Sequence, residues 1–251
     1  ITYNGAAFTM LGAGVIGAIV GTISYFQMRD RPTVSFFSDI RSALRGELGG
    51  ITGITHEGLF ISFEGGEGAG KSTQTTLLKT YLESIGETVT LTREPGGTPF
   101  GNQLRAILLA NETGEISPRA EALMYAADRA HHVQSLIRPA LNKGEVVITD
   151  RYLDSSIAYQ GAGRVLEPAE VARISRWATE NLTPSLTIII DLPAKIGLGR
   201  LQSQDRLESE PLAFHERVRE EFINLSKTDP DRYFVVDGTQ DVRSEEHTSE
   251  L

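Results

Sequence analysis

Cysteine is absent from the 251 residues, which excludes disulfides and thiolate metal sites and suits a reducing compartment. An excess of basic residues is also missing. Lys and Arg total 24 against 33 Asp and Glu, for a formal net charge of -9. This charge argues against a general nucleic-acid binder. A polyanionic ligand must therefore be held locally, by a few well-placed arginines and lysines.

Charge is missing altogether from residues 1–27, and residues 6–26 are largely apolar. As a helix, that stretch would be roughly 31 Å long at ~1.5 Å per residue, enough to cross a bilayer core of ~30 Å. Residues 17–21 form a G-x-x-x-G pattern, which suits close helix packing in lipid. We therefore predict a transmembrane helix at 1–28, followed by a polar linker at 29–57.

Arginines follow the apolar stretch, at positions 29, 31, 41 and 45. The positive-inside rule then places the C-terminal side in the cytosol. A signal peptide is disfavoured because no basic region precedes the apolar run. A buried soluble helix is the other alternative, although the many glycines would weaken it in water.

Both ends of the sequence bear on the domain boundaries. The first residue is Ile rather than Met, and we expect a membrane domain to have been truncated before it. Residues 243–251 match one reading frame of a common short-read sequencing adapter, so we interpret them as foreign; a natural acidic tail is the alternative. The globular domain is then 58–242, and we expect its last helix to be missing.

Apolar segments alternate with helical ones from residue 58 onward. Strands are predicted at 59–63, 88–92, 146–148, 186–191 and 233–236. Helices are predicted at 72–85, 102–110, 119–142, 168–181 and 211–226. Such alternation indicates an α/β fold, with a parallel five-stranded sheet and helices on both faces. Ligands should bind at the carboxyl ends of its strands.

A glycine-rich loop follows the first predicted strand and precedes a helix, the arrangement of a P-loop NTPase. Its glycines allow backbone N–H groups to turn around a phosphate, and the helix start adds a positive dipole end. Lys71 would reach the transferred phosphate, and the Ser72 hydroxyl would hold Mg²⁺. The predicted ATP-binding residues are Gly65, Gly66, Glu67, Gly68, Ala69, Gly70, Lys71, Ser72 and Thr73.

Two further pairs of residues carry specific chemistry. Asp150 ends the third apolar strand, where an acid can bind or orient Mg²⁺, and Arg151 beside it can fork onto a phosphate. A structural surface pair is the alternative. Tyr125 and Arg129 are four residues apart and share a helix face, although an ordinary amphipathic helix would also show this spacing.

The chain resembles the bacterial thymidylate kinases. The resemblance covers residues 58–242 and rests on several motifs in the family's order, a combination far more specific than the glycine loop alone. The motifs are FEGGEGAGKST at 63–73, TREPGGT at 92–98, DRYLDSS at 150–156, AYQG at 158–161 and DRLE at 205–208.

The resemblance implies a role for each matching position around the phosphates and sugar. Lys71 and Ser72 would serve the ATP phosphates and Mg²⁺. Glu67 would approach the sugar 3′-hydroxyl of dTMP. Arg93 and Arg151 would surround the acceptor phosphate.

The base pocket is implied in the same way. Tyr125 would stack on thymine, and Arg129 would hydrogen-bond the base. Tyr159 would lie under the sugar and disfavour a ribose 2′-hydroxyl. Further residues match positions that line the base pocket: Ser155, Ser156 and Gln160.

A lid segment is implied at 197–206. Some members of the family carry an arginine inside the glycine loop, where this chain has Gly68. A positive charge must then come from the lid, through Arg200 or Arg206. We prefer Arg206 because it lies inside the matched DRLE motif; a solvated helix face is the alternative for both arginines.

The resemblance thus implies ATP-dependent phosphorylation of dTMP to dTDP with Mg²⁺, by a kinase domain that forms a homodimer. The apolar N-terminal segment and the arginines that follow it predict that this domain is cytoplasmic and tethered to the membrane. No nucleic-acid partner is expected. Two alternatives stay open. One is another nucleoside monophosphate kinase, and the other is a nucleotide-binding regulatory module of a membrane transporter.

Overall fold

The computed structural model describes residues 58–239. The predicted transmembrane helix, linker and foreign tail lie outside these residues, so those interpretations stay predictions. Within residues 58–239, no helix is both long enough and apolar enough to cross a bilayer.

A five-stranded sheet forms the centre of the described domain. Its strands are β1 Phe60–Gly65, β2 Val89–Arg93, β3 Val146–Asp150, β4 Leu186–Asp191 and β5 Tyr233–Asp237. All are parallel, in the order β2-β3-β1-β4-β5. The predicted parallel five-stranded sheet is therefore confirmed, with strand ends that differ from the prediction by two residues at most.

Strand register brings the candidate site together at one edge of the sheet. Phe63 on β1 pairs with Asp150 on β3, and Arg93 on β2 pairs with the same residue. Because the strands are parallel, their carboxyl ends and the loops that follow meet at this edge. The glycine loop, the Arg93 turn and the Asp150–Arg151 turn thus become neighbours.

Helices cover both faces of the sheet. They are α1 Lys71–Ser84, α2 Pro99–Leu109, α3 Pro118–His132, α4 Arg138–Asn142, α5 Leu153–Ser156, α6 Pro168–Ala178, α7 Ala194–Gly199 and α8 Leu212–Ser226. Short π-helical segments, Val133–Ile137 and Ile157–Gly163, continue α3 and α5. A 3₁₀ turn at Asn111–Thr113 follows α2. The sequence did not predict α5, its π-helical continuation or α7.

The core follows from the alternation of side chains along the central strands. Ile61 and Phe63 of β1 pack with Leu78 and Leu82 of α1. Phe60 points to the other face, where it belongs to the cluster around α4 and α5. Burial of each large apolar side chain contributes about 1.5–3 kcal/mol. Apolar clusters on both faces of the sheet thus hold β1, the strand that precedes the glycine loop.

Candidate active site

The glycine loop joins β1 to α1 and surrounds the Lys71 ammonium group. Gly65, Gly68 and Gly70 have φ of 136°, 64° and 95°, which favour glycine. Lys71 begins α1, and its Nζ donates to the carbonyl oxygens of Gly65 at 3.1 Å and Gly66 at 2.8 Å. Burial and the nearby Arg151 charge lower the pKa of Lys71 to about 8.

Ser72 and Asp150 form an oxygen-rich pair beside this loop. The Ser72 hydroxyl donates to Asp150 Oδ2 at 2.6 Å. Ser72 lies in the first turn of α1 and Asp150 ends β3. A hydroxyl and a carboxylate of this kind suit a hard cation such as Mg²⁺, which takes oxygen ligands. Among residues 58–239, no group of three His, Asp or Glu side chains is placed to hold a metal.

Arg151, Glu67 and Tyr159 form one cluster. Arg151 Nη2 and the Tyr159 hydroxyl both donate to Glu67 Oε1 at 2.7 Å. The Arg151 guanidinium carbon also lies 4.8 Å from the Tyr159 ring centroid, in cation–π contact. Burial alone would raise the pKa of Glu67. The charges of Arg151 and Lys71, with the Tyr159 hydrogen bond, instead lower it to about 2.

Arg151 adopts a left-handed backbone conformation, with φ of 70°. This conformation costs energy for a non-glycine residue. Neighbouring groups hold it: Arg151 N–H donates to the Phe63 carbonyl at 2.9 Å, and Thr149 Oγ1 donates to the Arg151 carbonyl at 2.8 Å. The turn directs the guanidinium towards the glycine loop, where Nη1 donates to the Gly65 carbonyl at 3.0 Å.

Glu64 supports the same turn from beneath. It is fully buried and accepts hydrogen bonds from Tyr152 N–H at 2.8 Å and the Ser155 hydroxyl at 2.6 Å. Burial, with the Asp154 charge, raises the pKa of Glu64 to about 8. Ser155 in turn accepts from Arg151 Nη1 at 3.2 Å. Glu64 thereby helps to fix the Arg151 guanidinium.

An open cleft of about 550 Å³ lies next to this cluster. Every residue that the sequence predicted for the acceptor lines it, apart from Arg93. They are Glu67, Tyr125, Arg129, Arg151, Ser155, Ser156, Tyr159 and Gln160. Aromatic rings and polar groups thus share one cleft, a composition typical of small-molecule sites.

Arg129 is almost fully buried at the end of this cleft. Its Nε donates to Glu94 Oε2 at 2.7 Å, and its Nη2 donates to the Ser156 hydroxyl at 3.0 Å. His132 Nδ1 lies 2.9 Å from the other carboxylate oxygen of Glu94. The sequence did not single out Glu94, although it lies inside the TREPGGT motif and fixes the guanidinium of Arg129.

A second cleft, of about 900 Å³, opens on the glycine loop and shares Glu67, Arg151 and Arg105 with the first. Arg93 lines this second cleft, beside Arg105. The sequence missed Arg105 because nothing distinguishes it within the predicted helix 102–110. Burial and the Arg93 charge lower its pKa. Arginines thus converge where the two clefts meet.

The two lid arginines lie in different places. Arg200 Nη1 donates to the Gly68 carbonyl at 3.0 Å, at the glycine loop. Arg206 instead donates to Glu121 Oε2 at 2.6 Å and to the Leu108 carbonyl at 2.8 Å. The structure thus brings Arg200, and not Arg206, to the glycine loop, while the choice of the catalytic cation between the two stays a prediction. A local motif does not reveal the buried carboxylate that binds Arg206.

The packing around Gly68 leaves no space for an arginine in the glycine loop. A Cβ atom at Gly68 would lie 2.1 Å from the Gly197 carbonyl oxygen, and one at Gly197 would lie 2.0 Å from the Glu67 carbonyl oxygen. The first turns of α7 thus pack directly against the glycine loop. A side chain at position 68 has no space unless α7 moves.

A parallel sheet with this glycine loop, its lysine and the adjoining serine–aspartate pair defines a nucleotide-binding domain of the P-loop class. A family model described as "Thymidylate kinase" matches residues 63–248. The chain belongs to the thymidylate kinase family. The match includes residues 243–248, which lie outside the described residues, so our interpretation of 243–251 as foreign stays a prediction.

Individual relatives agree with the family match. The thymidylate kinase of Clavibacter sepedonicus is 54% identical over 184 residues, covering 72% of this chain and 87% of the relative. That of Bifidobacterium longum strain DJO10A is 50% identical over 191 residues, covering 74% and 93%. The crystal structure of thymidylate kinase from Ehrlichia chaffeensis has a TM-score of 0.61 at 33% identity, covering 71% of this chain and 92% of that one.

Proposed function

We propose that this chain is a phosphotransferase that converts ATP and dTMP to ADP and dTDP. The observation that carries the proposal is the membership of the thymidylate kinase family, at 50–54% identity to relatives of that name. An arginine-lined cleft beside the glycine loop supports it, because a kinase needs an acceptor site next to its donor site.

The donor site is proposed at the glycine loop. Backbone N–H groups of residues 65–73 would bind the ATP phosphates, with Lys71 at the transferred phosphoryl. Ser72 and Asp150 would hold Mg²⁺, and the 2.6 Å contact between their oxygens supports this assignment. When bound, Mg²⁺ would neutralise charge on the phosphate oxygens.

The acceptor site is proposed in the neighbouring cleft. Tyr125 would stack on thymine, Arg129 would donate to the base, and Tyr159 would lie under the deoxyribose. Glu67 would accept from the sugar 3′-hydroxyl, and its low pKa supports a carboxylate that stays ionised at neutral pH. The acceptor phosphate would lie among three arginines: Arg93, Arg105 and Arg151.

The proposed reaction needs no covalent enzyme intermediate. An oxygen of the dTMP phosphate attacks the γ-phosphorus of ATP, and the bond to the β–γ bridging oxygen breaks as ADP leaves. That acceptor oxygen is already anionic near neutral pH, so no strong general base is required. Lys71, Arg151 and Arg200 would offset charge that spreads over the transferring group, and alignment supplies the remaining rate gain.

A panel of nucleoside monophosphates tests the proposal against its two alternatives. The full chain should release ADP from Mg–ATP fastest with dTMP, and far more slowly with UMP, dCMP or AMP. A faster rate with another monophosphate would favour the kinase of a different base. ADP release that no monophosphate stimulates would favour the regulatory module of a transporter.

Three finer assignments belong to the proposal as well. We propose that residues 58–242 are the kinase domain and lie in the cytoplasm, that 1–28 spans a membrane, and that the kinase forms a homodimer. Exposed apolar side chains on α2, α3 and α6 support self-association, among them Phe100, Leu123 and Trp177. Light scattering in solution tests the dimer. Alkaline extraction of membranes from cells that produce the full chain tests the membrane span.

A further inference from the structure

Glu121 on α3 is fully buried, yet it lies outside the proposed substrate contacts. Its Oε1 accepts from Gln160 Nε2 at 3.0 Å and from Arg164 Nε at 3.1 Å. Its Oε2 accepts from Arg164 Nη2 at 3.0 Å and from Arg206 Nη2 at 2.6 Å. Burial opposes the ionised form, but these hydrogen bonds outweigh it and lower the pKa of Glu121. One carboxylate thus joins three parts of the fold: α3 itself, the segment that holds Gln160 and Arg164, and the segment that holds Arg206.

Two of those parts belong to the proposed reaction. Gln160 lines the acceptor cleft. Arg206 belongs to the segment between α7 and α8, residues 200–211, here called the lid strap. The same carboxylate therefore contacts a wall residue of the base pocket through one oxygen and the lid strap through the other.

The lid strap is itself a wall of the acceptor cleft. Asp205, Leu207 and Glu208 line it together with Tyr125 and Gln160. At its other end, Arg200 reaches the glycine loop through the Gly68 carbonyl. Glu208 also lines the cleft at the glycine loop. A displacement of this strap would change both clefts at once.

We propose that Glu121 is a positioning residue that couples acceptor binding to the placement of the lid strap over the donor site. The inference rests on the proposed function, because it assigns the two clefts to dTMP and ATP. A nucleobase bound in the acceptor cleft would fix the position of Gln160. Gln160 would then hold Glu121 where its other oxygen binds Arg206. The strap would then keep Arg200 at the glycine loop. Coupling of this kind appears as a mutual change in the two binding affinities.

Arg164 stabilises the contacts of Glu121 with Gln160 and Arg206 against local rearrangement. Its guanidinium spans both Glu121 oxygens and also pairs with Glu210, near the end of the strap. Arg206 is further held by its own N–H, which donates to the Leu109 carbonyl at 3.1 Å. The carboxylate cannot release one partner without losing charge-assisted hydrogen bonds, which are stronger than neutral ones.

Calorimetric titration of the full chain with dTMP tests the coupling. The dTMP dissociation constant is measured alone and with a saturating non-hydrolysable ATP analogue and Mg²⁺. In the wild type we expect the analogue to tighten dTMP binding about tenfold, a typical coupling between sites. In Glu121→Gln and Arg206→Gln, the ratio of the dTMP dissociation constant without the analogue to that with the analogue should fall below about threefold. Arg138→Gln is the matched control, because Arg138 binds the Thr179 and Glu180 carbonyls away from both clefts.

A merely structural role predicts a different result. Both variants would then lose thermal stability and affinity while keeping the wild-type ratio, and that outcome would overturn the proposal. A wild-type ratio near one would overturn it as well. Should Glu121→Gln fail to fold, Arg206→Gln decides alone, since Arg206 lies at the rim with 11% of its side chain exposed. A wild type that binds no dTMP contradicts the proposed function instead, and the ratio is then measured with the monophosphate that does bind.

Discussion

Two cations share the rim of the glycine loop with one carboxylate. Lys71 Nζ and Arg151 Nη1 both donate to the Gly65 carbonyl oxygen, at 3.1 Å and 3.0 Å. Burial and the repulsion from Arg151 lower the pKa of Lys71, and the Glu67 charge opposes this shift only in part. Preorganised positive charge of this kind stabilises a transition state without reorganisation during the reaction. Lys71 and Arg151 thus supply the local positive charge that an acidic chain needs in order to bind phosphate.

Removal of the loop lysine should therefore nearly abolish turnover. We expect Lys71→Ala to lower kcat by about 10²–10³ without loss of the fold, because Lys71 belongs to none of the apolar core clusters around the sheet. Lys79→Ala on the exposed face of the same helix is the matched control. Steady-state kinetics measures both variants, and more than a tenth of wild-type turnover in Lys71→Ala would refute the assignment of the loop.

Glu64 should make the stability of the protein depend on pH. Its folded pKa of about 8 lies above the ordinary value of 4.5, because burial and Asp154 penalise the charged form. A raised folded pKa gives stability that is full below the unfolded pKa and is lost as pH rises through the folded pKa. Relative to Glu64→Gln, the wild type should therefore lose stability between about pH 4.5 and pH 8.

Calorimetric Tm values of both proteins across this range check that prediction. Glu83→Gln on the exposed face of α1 is the control, and its Tm difference from the wild type should vary less with pH. A Tm difference between the wild type and Glu64→Gln that stays constant from pH 5 to pH 8.5 would show that Glu64 does not titrate in this window.

At the scale of elements, the contact of α7 with the glycine loop depends on two glycines. A methyl group at position 68 would meet the Gly197 carbonyl, and φ at Gly68 is 64°. We expect Gly68→Ala to lower the free energy of unfolding by about 1–3 kcal/mol and to reduce kcat as α7 moves. Urea denaturation measures the first effect. Gly66→Ala is the stability control, since an added methyl there meets nothing within 4 Å.

Arg200 and Arg206 lie at different places along the lid strap. Arg200→Ala should lower kcat much more than it changes the dTMP KM, because Arg200 reaches the glycine loop and would act on transition-state charge. Arg206→Ala should instead raise the dTMP KM, since it loses the Glu121 contact beside the acceptor cleft. Side-by-side kinetics separates them. A silent Arg200→Ala beside an Arg206→Ala with very low kcat would restore our sequence-based preference for Arg206.

The sequence predicted the elements whose signal lies within a few consecutive residues. Apolar strand segments gave all five strands, and the glycine loop with its following helix placed Lys71 and Ser72. Sequence reasoning missed Glu94, Arg105 and Glu121, because their roles depend on partners that only the tertiary structure brings near. The partner of Glu94, for example, is Arg129. Sequence reasoning missed the helix α5 and its π-helical continuation because the stretch 153–163 mixes polar, apolar and glycine residues and is buried on nearly every side, so it shows no amphipathic helical period.

Across the whole molecule, the acidic balance of the chain still leaves cations at the candidate site. The chain carries a net charge of -9, yet Lys71, Arg93, Arg105 and Arg151 line one cleft at the carboxyl edge of the sheet. The same cleft is also lined by four acidic residues, Glu67, Glu94, Asp150 and Glu208. Its cations are therefore placed individually among carboxylates and do not form the basic patch that extended nucleic acids require. The two clefts, which share Arg105 and Arg151, place donor and acceptor phosphates on either side of these arginines in the proposed reaction.

Direct detection of dTDP decides whether the chain phosphorylates dTMP. The full chain is incubated with ATP, Mg²⁺ and dTMP, and the products are separated by anion-exchange chromatography. We expect equal amounts of ADP and dTDP, formed only when all three reactants are present, and almost none with Lys71→Ala. Formation of ADP without dTDP, or no dTMP-dependent product at all, would contradict it.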